Sequence, residues 1–179
     1  MSIHNPVIFV SYFDMNTHLP HLTSRRPFVD RIHIRLLTVN KTTIDSRWRL
    51  QDVRSSHWRL YINFRDGAQV MAGDERIALM PMTVYFVPAW LTFSTQCLGA
   101  VEHFFMHFDI LGMPGTLIRD VFDRVFCLTT DGGVLAQGVD LAKRVDANRH
   151  AQLDGQLLAK GFLYQAMAQL VVQLPKNRQ

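Results

Sequence analysis

Hydrophobic and polar residues alternate with a period of two through the middle of the chain, from about residue 31 to residue 110. The clearest run is residues 58–63, in which Trp58, Leu60 and Ile62 alternate with more polar neighbours before an Asp66-Gly67 turn signal. Similar runs recur about every ten residues, with glycine or proline between them. This spacing favours an all-β sandwich or barrel over βαβ units.

The pattern changes after residue 112. Residues 134–148 and 154–174 carry apolar residues at helical spacing, Pro114 can begin an earlier helix, and Pro175 ends the last one. Residues 1–30 contain three prolines and a polar stretch, which is typical of an irregular arm. We therefore predict an N-terminal arm (1–30), a β-barrel (31–112) and a helical element (113–179).

Composition adds few constraints. The 179 residues suffice for one domain with an appendage, and the net charge of +4 is scattered rather than gathered in a basic block. The N-terminus lacks the features of a signal peptide, and no apolar run approaches the roughly 20 residues that span a bilayer. Cys97 and Cys127 have no metal or redox spacing. We expect a cytoplasmic protein with reduced thiols.

Three segments, taken in order, resemble the effector-sensing domains of AraC-type transcriptional regulators. They are an aromatic-rich strand and turn at 57–68, a proline-bounded apolar strand at 78–88, and an aromatic–histidine strand at 103–109. The resemblance implies a mainly β fold with C-terminal α, in which a cupin-like jelly-roll β-barrel precedes two or three helices. It implies a domain that senses a small-molecule effector and forms a homodimer.

The chain departs from the family pattern in two places. Met82 stands where the family usually has glycine, so we predict that the turn after Pro81 uses another backbone shape. No pair of helix-turn-helix motifs follows the helical element, so we expect DNA contact only through a missing C-terminal domain. We expect this sequence to be either the sensing half alone or a truncated product.

Histidines are the first candidates for a metal site, because cupin enzymes gather three or four nitrogen and oxygen ligands inside the barrel. Here His57 stands alone in the first motif region, and residues 81–93 contain no histidine. His103 and His107 are four residues apart, which on a strand is roughly 13 Å. We expect no metal, no cofactor and no enzymatic activity. A stand-alone cupin enzyme (isomerase or dioxygenase) and a degenerate cupin interaction module are the alternatives.

The strand at 103–109 has two different faces. Phe104, Met106 and Phe108 are wholly apolar and suit a packed interior, whereas His103, Phe105 and His107 suit a ligand pocket. The resemblance assigns ligand contacts to Arg65, Phe93 (or its neighbour Ser94), His103 and Phe105. Tyr61 and Asn63 share the strand face of Arg65, so we predict that they contact the ligand as well. The alternative is that these residues fill the core or the rim. An arginine in the pocket would favour a carboxylate, a phosphate or a polyol.

The last helix carries a broad apolar stripe. Its members Leu157, Tyr164, Met167 and Val171 could meet the same helix of a second copy, as the resemblance implies. Alternatively, the helix only caps the barrel, since a stripe alone does not identify its partner.

Overall fold

The computed structural model describes residues 28–128, 133–146 and 152–174, and the structural statements below concern these residues. A 3₁₀ turn (Phe28–Arg31) precedes the strands, and the predicted arm lies almost wholly outside the described residues. The described strands are β1 (His33–Ile44), β2 (Trp58–Asn63), β3 (Ala68–Ala72), β4 (Glu75–Ala78), β5 (Val84–Val87), β6 (Ser94–Cys97), β7 (Val101–Leu111) and β8 (Phe126–Leu128). The α-helices are α1 (Gly115–Val121), α2 (Gly133–Asp146) and α3 (Leu153–Gln173).

The strands form two antiparallel sheets. The larger sheet has the order β1-β7-β2-β5-β8, and the smaller has the order β4-β3-β6. This confirms the predicted mainly β fold followed by helices. The two hydrogen-bonded ladders do not close on each other among the described strands, so the closed jelly-roll barrel is not confirmed. No helix of the described ranges is long and apolar enough to cross a membrane.

Strand β2 lies at the centre of a three-layer arrangement, and all six of its residues are buried. Trp58, Leu60 and Ile62 belong to a core cluster shared with α2 and α3, whereas Tyr61 belongs to a second cluster shared with the smaller sheet. Because successive side chains point to opposite faces, one strand supplies both interfaces. The larger sheet therefore separates the helical layer from the smaller sheet.

The two faces of strand β7 also look toward different layers. Phe104, Met106 and Phe108 are fully buried in the cluster that faces the helices. The opposite face presents His103, Phe105 and His107 on the side of the smaller sheet, where they border a cavity. The predicted assignment of the apolar face to the packed interior is confirmed.

The prediction that the turn after Pro81 uses another backbone shape at Met82 is wrong. The φ of Met82, 53°, lies in the left-handed region that favours glycine, so the turn keeps this shape despite the methionine. The Met82 N–H donates to the backbone oxygen of Asn63 at 2.8 Å, and Pro81 forms a bridge with the same residue. These contacts hold the backbone in place, and the Met82 side chain is exposed.

The region predicted to be helical also contains a strand. Residues 126–128 pair with residues 84–86 and extend the larger sheet. The helix that Pro114 precedes ends at Val121, five residues before this strand. A three-residue strand is too short to show a period of its own, because periodicity needs a longer window.

Candidate functional site

A cavity of about 300 Å³ lies on the face of the larger sheet that looks toward the smaller sheet. Strands β1, β2 and β7 and the segment after β1 supply its walls. The lining residues are Thr42, Ile44, Trp48, Leu50, Arg59, Tyr61, His103, Phe105 and His107. The volume is at the lower end of the range for small-molecule sites, which is roughly 300–1,000 Å³. The walls are largely aromatic and aliphatic, so the cavity suits a small, mostly apolar molecule.

A row of rings follows β7 along the cavity. The ring of His103 lies 4.8 Å from that of Tyr61, 5.3 Å from that of Trp48 and 5.6 Å from that of Phe105, centroid to centroid. Phe105 is in turn 5.1 Å from His107, which lies 4.9 Å from His57. Such rings offer flat apolar surfaces, on which another planar group can pack in an offset or edge-to-face arrangement.

His103 is buried, with 2% of its surface exposed, and its Nδ1 lies 2.7 Å from Oδ1 of Asn63. Nδ2 of Asn63 donates to the backbone oxygen of Leu79 at 3.4 Å, so a flipped amide would place two acceptors against each other. Oδ1 therefore accepts, and Nδ1 carries the proton. Burial, together with the nearby His107, lowers the pKa of His103 to about 3. The imidazole is neutral at pH 7, and Nε2 is an acceptor.

Arg59 brings a charge into this apolar surrounding. Only 7% of the residue is exposed, its Nη1 donates to Oγ of Ser55 at 2.7 Å, and its Cζ lies 4.9 Å from the ring centroid of Phe93. Among the described residues no carboxylate lies within ion-pair distance of Arg59. Burial lowers its pKa, but a guanidinium stays protonated near neutral pH. The cavity therefore holds a buried cation.

The two histidines at this end are neutral bases. Burial, the charge of Arg59 and the nearby His57 lower the pKa of His107 to about 4. Burial and Arg59 also lower the pKa of His57, against a smaller opposing effect of Asp109. In the described part of the chain, no three His, Cys, Asp or Glu side chains come together in a way that could hold a metal ion. The site thus places the guanidinium of Arg59, a group that can donate hydrogen bonds to an anion, beside neutral rings.

The six predicted ligand contacts do not all reach the cavity. Tyr61, His103 and Phe105 line it. Asn63 lies behind His103, Phe93 lies under the guanidinium of Arg59, and Arg65 lies on the exposed turn after β2. Ser94 accepts the backbone N–H of Asp52 outside the lining. The structure thus brings together three of the predicted side chains, with two supporting them.

Sequence reasoning missed Arg59 and Trp48. Arg59 precedes Tyr61 by two residues on β2, so the alternation already placed both side chains on one face. Trp48 comes from the irregular segment after β1, where no periodicity indicates a direction. The signal for Arg59 was present in the sequence, whereas that for Trp48 was not.

Of the four residues predicted to form the dimer interface, two contact the rest of the chain and two are exposed. Met167 is 8% exposed and packs in the helix-facing core, and the Tyr164 hydroxyl accepts the backbone N–H of Ile34 at 3.0 Å. Leu157 and Val171 are exposed. Helix α3 therefore packs on the larger sheet through part of the predicted stripe and leaves the rest on the surface.

The fold and the cavity define a β-sandwich domain with a helical layer and a small aromatic pocket. Neither the protein-family models nor the curated proteins include a match to this sequence. Solved structures to which this chain is similar include those of ToxT from Vibrio cholerae. One, of apo ToxT K231A from strain SCE256, has a TM-score of 0.46 and 8% identity over 78% of this chain and 54% of that one. ToxT from strain O395 has a TM-score of 0.40 and 9% identity over 75% and 53%. The chain thus spans about half the length of these structures.

Proposed function

We propose that the chain is the small-molecule effector-binding domain of an AraC-type transcriptional regulator, and that its effector is a small organic anion bound in the aromatic cavity. The observation that carries this proposal is the buried Arg59 side chain, which has no acidic partner among the described residues. The three sequence segments that resemble the sensing domains support the assignment to the regulator class.

The energetic argument concerns the cost of burying a charge. Removing a cation from water costs several kcal/mol unless a partner compensates, and a ring face together with one hydroxyl compensates only in part. Arg59 has such a ring and such a hydroxyl in Phe93 and Ser55. A ligand carboxylate could supply two further charge-assisted hydrogen bonds to the planar guanidinium. Such a costly group is therefore better explained by ligand binding than by folding.

The remaining features of the proposal follow the regulator class. The two sheets would correspond to the two halves of a cupin-like jelly roll, and the domain would act without enzymatic activity in the cytoplasm. A second copy would pack on the exposed part of α3, including Leu157 and Val171. The attached DNA-binding domain would have two arrangements relative to this domain. The effector would bind one arrangement more tightly than the other, and so would shift the equilibrium towards it.

A thermal-shift screen of sugars, organic acids and aromatic compounds, followed by calorimetric titration, tests the proposal. We expect hits among organic acids, and we expect Arg59→Met to weaken their binding by about tenfold or more, because a charge-assisted contact is lost. Arg65→Met is the matched control, since Arg65 is exposed outside the cavity. Binding that survives Arg59→Met, or that requires Arg65 instead, would contradict the proposal. So would stoichiometric, tightly bound iron, manganese, nickel or zinc that is lost in His103→Ala.

A further inference from the structure

The pocket has two chemically different ends. In the ladder between β2 and β7, Arg59 lies opposite His107, and Asn63 lies opposite His103. Arg59 and Asn63 are four residues apart on β2, which corresponds to roughly 13 Å along the strand. The cation therefore belongs to one end of the lining and the His103–Asn63 pair to the other.

Rings occupy the space between these ends. Tyr61 and Phe105 lie side by side in the ladder and both line the cavity, and Trp48 lies edge-on to Tyr61 at 6.1 Å. A planar apolar body would cover these ring surfaces and gain the burial energy of about 25 cal/mol per Å² of apolar area. An aromatic ring in the ligand fits this middle section better than a polyol, whose hydroxyls would find few partners there.

The His103 end offers an acceptor. Oδ1 of Asn63 accepts a hydrogen bond from the Nδ1–H group of His103, so Nε2 of His103 carries a lone pair. No described residue donates a hydrogen bond to this Nε2. A ligand atom at this position must therefore be a donor. The Tyr61 hydroxyl can donate or accept, so it does not distinguish ligands that carry a donor from those that carry only an acceptor. His103 does distinguish them.

We propose that the ligand is an aromatic carboxylate with a hydroxyl group at the far end of the ring, and that His103 selects for this hydroxyl through Nε2. The carboxylate would bind Arg59, the ring would pack against Tyr61 and Phe105, and the hydroxyl would donate to His103. This inference rests on the proposed function and specifies its ligand class.

The test uses three pairs of probes of increasing length: para-hydroxybenzoate, para-hydroxyphenylacetate and para-hydroxycinnamate, each beside its para-methoxy counterpart. The methoxy compounds keep the ring and the carboxylate but have no donor. By calorimetric titration, we expect at least one hydroxy acid to bind the full chain about tenfold or more tightly than its methoxy counterpart, since an unpaired buried acceptor costs affinity. In His103→Phe, which keeps a ring, this ratio should fall to near one.

A second measurement does not depend on a variant that folds. Long-range ¹H–¹⁵N spectra of the imidazoles should show the His103 tautomer with the proton on Nδ1. A proton on Nε2, an equal affinity for hydroxy and methoxy acids, or no binding of any hydroxy acid would each overturn the inference. If other organic anions then bind in an Arg59-dependent way, the proposed function stands without it. If all anion binding is unchanged in Arg59→Met, the proposed function fails as well.

Discussion

Nδ1 of His103 lies 2.7 Å from the side-chain oxygen of Asn63, across the hydrogen-bonded ladder that joins β2 and β7. The contact joins two buried polar side chains in an otherwise apolar region. It orients the imidazole, while burial and the nearby His107 keep the ring neutral by lowering its pKa. The relationship links the stability of the domain to pH as well as to ligand choice.

Acidification should destabilise the protein through His103. Burial lowers its pKa from 6.5 to about 3, so the unfolded chain binds more protons between these values. The stabilisation is therefore complete above pH 6.5 and is lost as the pH falls towards 3. At about pH 4.5 the loss from this residue should reach about 2–3 kcal/mol.

Urea unfolding at about pH 7 and about pH 4.5 measures this loss. His103→Gln should reduce the difference between the two free energies of unfolding, although the depressed pKa of His107 leaves a part of it in place. His33→Gln, at an exposed histidine of β1, is the control and should keep the wild-type difference. An unchanged difference in His103→Gln would refute the prediction.

Arg59→Met should separate stability from ligand binding. Replacing a buried cation that lacks an acidic partner by an apolar chain is often neutral or stabilising, so we expect the free energy of unfolding to stay equal or to rise by up to about 2 kcal/mol. The lost contact with Phe93 offsets part of the gain. Denaturant unfolding of the ligand-free protein measures this, with Arg65→Met as the reference. A loss of more than about 1 kcal/mol would mean that Arg59 is mainly structural.

The residues of α3 should divide into two groups. Met167→Ala should lower the free energy of unfolding by about 2–4 kcal/mol, because this side chain is buried against the sheet. Leu157→Glu should change it by no more than about 0.5 kcal/mol, since Leu157 is 60% exposed.

Sedimentation should show a wild-type dimer that Leu157→Glu weakens. Gln165→Glu adds the same charge at another exposed position and is the control. A wild-type monomer at tens of micromolar would count against the dimer.

Gly112→Ala should be among the most harmful small substitutions. Gly112 has a φ of 82°, and a Cβ atom there would overlap the backbone oxygen of Arg31. We expect a loss of about 2–5 kcal/mol, from the left-handed conformation and the overlap together. Gly73→Ala is the matched control, because Gly73 also has a positive φ but has open space at the Cβ position. It should lose only about 1 kcal/mol. Equal losses in thermal unfolding would show that the overlap relaxes.

The alternation along β2 and β7 predicted the faces of both strands, because side-chain direction on a strand has a period of two and depends on local geometry alone. Arg65 does not follow this pattern. It shares parity with Tyr61 and Asn63, but β2 ends at Asn63, so Arg65 leaves the face and lies on the exposed turn. Where a strand ends depends on its pairing partners and turns, which the pattern does not contain.

By itself, the sequence determined the order of β and helical regions, the apolar face of β7 and the identity of the pocket-facing residues on that strand. Alternation placed Arg59 on the face of Tyr61, but tertiary structure decided that Arg59 rather than Arg65 is buried. Tertiary structure decided as well that Trp48 completes the ring surface and that Phe126–Leu128 joins the sheet. It also decided that Met167 packs inward while Leu157 stays exposed. The physical reason is that periodicity is encoded in neighbouring residues, whereas burial and charge pairing depend on residues that are distant in the chain.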